Sequence, residues 1–112
     1  MLIQNKIVAN IDKLNNAVFI NCTLFDCIIG DECLFKNCDL INVNIGTGCT
    51  FVKSYLYNVN VKCCGSFRKC ELAGGVYAGE NSVFRTCKFF NNNTFINSRF
   101  YYCFKIHDNI FY

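Results

Sequence analysis

The chain has 112 residues, 53% of them hydrophobic and 16% aromatic, with ten cysteines, no proline and no tryptophan. That length sets one domain, and no apolar run is long enough to cross a membrane, because Asn and Lys interrupt every hydrophobic stretch. The formal charge of +3 is too small for a strongly acidic or strongly basic polyelectrolyte. The start, Met1 to Lys13, has no basic segment followed by an apolar one, so it does not read as a secretory signal. We therefore expect a cytoplasmic or virion protein in a reducing compartment, with its cysteines as free thiols.

Self-similarity at a fixed period dominates the chain. Residues 1–16 form a weak first copy, in which Ile3, Val8 and Ile11 hold apolar places and Lys6 stands where later copies carry Cys. Clear copies follow at 17–32, 33–48, 49–64 and 65–80. One extra residue, assigned to Asn81, then shifts the frame, and degenerate copies occupy 82–97 and 98–112. A phenylalanine recurs at the third place: Phe19, Phe35, Phe51, Phe67, Phe84 and Phe100. The sixth place carries Cys22, Cys38, Ser54, Cys70, Cys87 and Cys103. The eighth carries Leu24, Leu40, Leu56 and Leu72, and then Phe89.

Within each copy the key places are one, three, six, eight, eleven and thirteen. The third copy shows them as Cys33 and Phe35, Cys38 and Leu40, Val43 and Ile45. Two-residue steps match a strand that turns alternate side chains to one face, whereas a helix would need a period of 3.6. The three-residue steps demand a bend after each short strand. Three short strands and three bends make a triangular coil. The expected fold is all-β: a single right-handed triangular parallel β-helix of about seven coils, each sixteen residues long, contacting only its neighbours. The recurring Cys is expected at tight interior corners, since free Cys is among the most buried residue types.

The small-x-large-x-x pentad, in Cys38-Asp39-Leu40, Val43-Asn44-Ile45 and Val59-Asn60-Val61, resembles the pentapeptide-repeat family. Members of that family build square coils of four pentads, with a small residue that is mostly Ala. This chain has three pentads plus one residue, and mostly Cys or Val at the small place. The triangular section is also similar, more weakly, to bactofilins, short β-helical proteins that polymerise. The resemblance implies a fold rather than an activity. Some pentapeptide-repeat proteins resemble duplex DNA and bind topoisomerases, a role that needs a strongly acidic rod.

No catalytic constellation emerges. Cys22, Cys27, Cys33 and Cys38 are spaced by the pentad and not as zinc-ligand pairs. There is no phosphate loop, hydrolase elbow or zinc-protease motif. The glycines of Gly46-Thr47-Gly48 and Ala73-Gly74-Gly75 are read as corner residues with special backbone angles. His107 is the only histidine, and Asp26, Asp39, Glu71 and Asp108 do not gather. We therefore expect no enzyme, no cofactor and no metal site. Lys53, Lys62, Arg68, Lys69, Arg85 and Lys88 make the densest basic zone, read as a solvated face and not as a nucleic-acid patch.

Three outward features carry the functional expectation. Place nine, Ala9, Phe25, Ile41, Tyr57, Ala73, Phe90 and Ile106, forms an apolar column of the kind that marks an interaction surface. Leu14, Phe95 and Phe111 are assigned to place fourteen beside it. Places ten and twelve form an Asn-rich face: Asn10, Asp26, Asn42, Asn58, Gly74, Asn91 and His107, then Asp12, Ile28, Asn44, Asn60, Val76, Asn93 and Asn109. Stacked amides account for that face; a glycan- or protein-binding face is the alternative. The coil ends expose strand edges, and the last coil is aromatic, including Phe111 and Tyr112. The expected function is a non-enzymatic structural protein. It would be a homo-oligomer or would dock onto other structural proteins, as in a small virion component, through Phe25, Ile41, Tyr57, Phe90, Ile106, Phe111 and Tyr112. A protein- or glycan-binding module is the main alternative, and a thiol-dependent or glycan-acting enzyme the weaker one.

Overall fold

The computed structural model describes residues 1–105 and 108–112; the calls on Ile106 and His107 lie outside them. Each turn of the chain contributes one short strand to each of three seven-stranded parallel sheets. In the third turn these are Leu34–Lys36, Asp39–Ile41 and Asn44–Thr47. The stacked turns form a rod of 34 × 21 × 20 Å, a pentapeptide-repeat-like β-solenoid of about seven coils.

Register is in step along most of the rod. Phe35 pairs with Phe51 and Phe51 with Phe67; Leu40 pairs with Leu56 and Leu56 with Leu72. Both sets are fully buried. Phe19, Phe35, Phe51, Phe67 and Phe84 stack face on face, with centroids 4.4 to 5.0 Å apart. Burying one such ring is worth on the order of 2 to 3 kcal/mol. Backbone N–H groups donate from coil to coil even at the corners, as from Asn37 to Val52 O at 3.0 Å, so turns as well as strands find main-chain partners in the neighbouring coil.

Three corners join the sheets, and each holds a residue in the left-handed conformation. The first corner uses Asn5, Asn21, Asn37, Lys53, Lys69, Thr86 and Tyr102; the second uses Asn10, Asp26, Asn42 and Asn58 among others. Asn tolerates this region better than most residues, because its short polar side chain can bond locally. The asparagine column thus has a backbone cause. Among the described residues it carries one amide rung: Asn58 Nδ2 donates to Asn42 Oδ1 at 2.6 Å.

The recurrent Cys, Ser and Asn residues line the inner side of these corners and bridge coils. Cys33 Sγ accepts the Ala17 N–H and donates to Leu14 O, both at 3.4 Å. Ser54 Oγ accepts the Cys38 N–H at 3.2 Å and donates to Val52 O at 3.0 Å. Among the described residues no buried side-chain nitrogen or oxygen lacks a partner.

The second half differs from the sequence expectation. Asn60 pairs with Tyr77 and Val61 with Ala78, so the extra residue sits at Gly74-Gly75, not at Asn81. Two adjacent positive-φ glycines, at 67° and 97°, absorb it in the turn. The sixth coil then runs one place later on its third side. Val76 and Asn93 are buried rather than outward. Asn93 takes the inner-corner role of a cysteine: it accepts the Val76 N–H at 3.0 Å and donates to Leu72 O at 3.0 Å. Asn109 likewise turns inward, donating to Phe90 O at 2.8 Å. Phe95, assigned above to an outward place, is a core residue, 1% exposed. Phe111 stacks on it at 5.0 Å in the inward column. In the first coil the chain bulges at Lys13, and Leu14 pairs with Ile29 and packs against the core.

Candidate functional site

Among the described residues, no acids or thiols gather in a cleft. The depression of about 340 Å³ between Asn81–Val83 and Asn97–Arg99 is lined by Asn81, Ser82, Val83, Asn97 and Arg99, with neither acid nor thiol. Among the described residues no group of three or more His, Cys, Asp and Glu could hold a metal ion. No helix is long and apolar enough to cross a membrane.

All ten cysteines are free. Burial pushes the Cys38 and Cys49 thiols up to about 11, so they are protonated and unreactive near neutrality. Cys63 and Cys64 are the exception. They sit at the third corner outside the core with their sulfurs 2.8 Å apart, and the hydrogen bond to Cys64 raises the Cys63 thiol.

The outward places are therefore the candidate site, and the three corners present three surfaces. At the second corner, register aligns Ala9, Phe25, Ile41, Tyr57 and Ala73 in one column. Phe25, Ile41 and Phe90 are half-buried and Tyr57 is 45% exposed. The Tyr57 ring fills the space a side chain at Gly74 would need. Across the turn stand exposed Ile28, Asn44, Asn60 and Tyr77. In the second to sixth coils this face holds a single charge, Asp26. The first corner is basic, carrying Lys36, Lys53, Arg68, Lys69 and Arg85. The third corner is polar and acidic, with Asp31, Glu32 and Glu80 exposed. There Asp31 Oδ1 accepts the Thr47 N–H at 2.9 Å.

Two of the predicted interaction residues stand apart from the column. Tyr112 is 75% exposed in the last coil. Phe111 is 40% exposed, but through the end of its inward stack and not on an outer wall. That end is covered by Lys105, whose ammonium lies 5.0 Å from the Phe100 centroid and 4.6 Å from that of Phe111. An inward-pointing lysine is a known way to blunt open sheet edges. Its position at place eight, where earlier coils carry Leu or Phe, is the signal that could have revealed it.

Comparison with known proteins shows no family for this chain. No family model matches the chain, and no curated protein matches it. Among solved structures it is similar to QnrB1, a plasmid-mediated fluoroquinolone resistance protein. That match has a TM-score of 0.44 and 9% identity, over 97% of this chain and 73% of that one. It is also similar to Rfr23, a pentapeptide repeat protein from the cyanobacterium Cyanothece 51142. There the TM-score is 0.27 and the identity 10%, over 99% of this chain and 88% of that one.

Proposed function

We propose that the protein is a non-enzymatic assembly module whose rods associate side by side through the second corner. The observation that carries this reading is the register-aligned column Phe25, Ile41 and Tyr57, flanked by amides and nearly free of charge. A second copy is the partner of choice for two reasons. The face lacks the charge that would repel its own image. Its repeat of about 4.8 Å along the rod axis matches that of an identical rod, so each protruding side chain meets a recess of the same spacing. The same surface would seat the rod in a larger particle built of related coils.

Light scattering after size exclusion, under reducing conditions, tests this. The expected result is a discrete oligomer for the wild type and a monomer for the combined Phe25→Lys, Ile41→Lys, Tyr57→Lys variant. A wild-type monomer at high concentration would sink self-association and leave a binding module with a different partner.

A further inference from the structure

The basic residues looked scattered in the sequence, but the coil gathers them. Register stacks Lys36, Val52, Arg68, Arg85 and Tyr101 in one outward column of the first sheet. Lys53 and Lys69 stand beside it as the turn residues of the first corner. Lys88 faces the same corner from the second sheet, stacked on Glu71. Lys62, grouped with these residues by sequence, lies instead on the third sheet. With Lys6 beside Asn5 at its start, the corner thus holds seven of the eleven basic residues and two of the eight acidic ones, Asp39 and Glu71. It concentrates more positive charge than the whole chain carries net, and the rest of the rod is close to neutral.

The column leads into aromatics. In the last coil the same three outward places carry Tyr101, Tyr102 and Phe104. Tyr102 is 93% exposed and Phe104 63%. The Arg85 guanidinium lies 4.8 Å from the centroid of the Tyr101 ring. Tyr55 stands further down the corner, between Asp39 and Glu71.

We infer that this corner binds single-stranded nucleic acid. A line of cations tracking the backbone, next to open aromatic faces on which bases stack, is the combination that recognises single strands without reading sequence. The cations recur at intervals of about 4.8 Å along a straight edge. A flexible single strand can adjust its phosphates to that ladder, whereas a duplex, with its bases already stacked, has no use for Tyr102 and Phe104. A sulfated glycan would use the cations but would leave the aromatic faces without a planar base to stack on. The corner lies on a different edge of the rod from the proposed pairing face, so the two readings stand or fall separately.

Fluorescence anisotropy with a labelled oligothymidine of about 16 nucleotides, at roughly 50 and 200 mM salt, is the test. A duplex of equal length and heparin as competitor complete it. The account expects the single strand to bind more tightly than the duplex, with affinity falling steeply with salt. Arg68→Glu with Arg85→Glu should weaken binding by roughly tenfold or more. Tyr102→Ala should weaken single-strand binding roughly five- to tenfold and leave duplex binding unchanged. All three side chains are exposed, so unchanged melting of the variants confirms folding. Three results would each overturn the inference: no binding at low salt, indifference to the Glu variants, or Tyr102-independent binding that heparin displaces as readily as a second oligonucleotide does.

Discussion

The first and second corners are made by the same turn and carry different surfaces. Each sets a small buried side chain behind a left-handed turn residue, a thiol or hydroxyl at the first corner and mostly a valine at the second. Asn37 with Cys38 builds a rung of one, and Asn42 with Val43 a rung of the other. Backbone geometry therefore constrains the turn residue and its inward neighbour. The flanking outward places are free to vary, and there the first corner collects Lys36, Arg68 and Arg85 while the second collects Phe25, Ile41 and Tyr57. The proposed pairing and binding faces rest on positions that the fold does not need.

The sharpest way to break that division is to disturb the scaffold both corners share. Phe51 is fully buried between Phe35 and Phe67, so Phe51→Ala should cost about 3 to 5 kcal/mol, read by denaturant unfolding. Next in size is Asn93→Leu. It strands the buried Val76 N–H, at about 1 to 3 kcal/mol, while the Leu72 carbonyl keeps the Phe90 N–H at 2.9 Å. Asn93→Cys should recover part of the loss, because a thiol at an inner corner accepts such an N–H, as Cys33 Sγ does from Ala17 at 3.4 Å, and Cys27, four coils earlier at this corner, donates to Val8 O at 3.6 Å.

The turns themselves give smaller effects. A Cβ at Gly75 would make only ordinary contacts, 3.7 Å from Asn58 Oδ1, but the φ is 97°, so Gly75→Ala should cost about 1 to 2 kcal/mol from the backbone alone. Asn42→Gly, at a φ of 55°, should stay within about 1 kcal/mol. Alkaline pH acts on the thiols of the inner corners. Cys38 and Cys49 have folded values of about 11 against a starting 9.0. Between these values the unfolded chain loses protons that the folded one keeps, so stability falls as pH rises from 9 towards 11. Thermal melting in reducing buffer across that range should show a declining midpoint, and Cys38→Ser with Cys49→Ser should flatten the decline.

The pentad spacing made the coil legible, and the Phe, Cys and Leu ladders of the second to fifth coils followed from it directly. The rest was hidden for specific reasons. A glycine pair can absorb an extra residue without changing the apolar pattern, so Gly74-Gly75 was not distinguishable from Asn81 as the insertion. The run Asn91-Asn92-Asn93 hides which amide makes the turn and which one points inward. Once that corner is misplaced, Phe95 reads as surface and Val76 as outward. The basic edge escaped because Lys36, Lys53, Arg68, Lys69 and Arg85 lie in successive copies, at the fourth and fifth places, and come together only when the coil is closed.

Small-angle X-ray scattering of the reduced protein tests the central claim most directly, because the rod is longer than it is wide. Side-by-side pairing predicts a particle that keeps the 34 Å length and doubles one of the 20 to 21 Å widths. A particle of twice the length and unchanged cross-section would contradict it and move the contact from the Phe25, Ile41 and Tyr57 face to the ends of the rod.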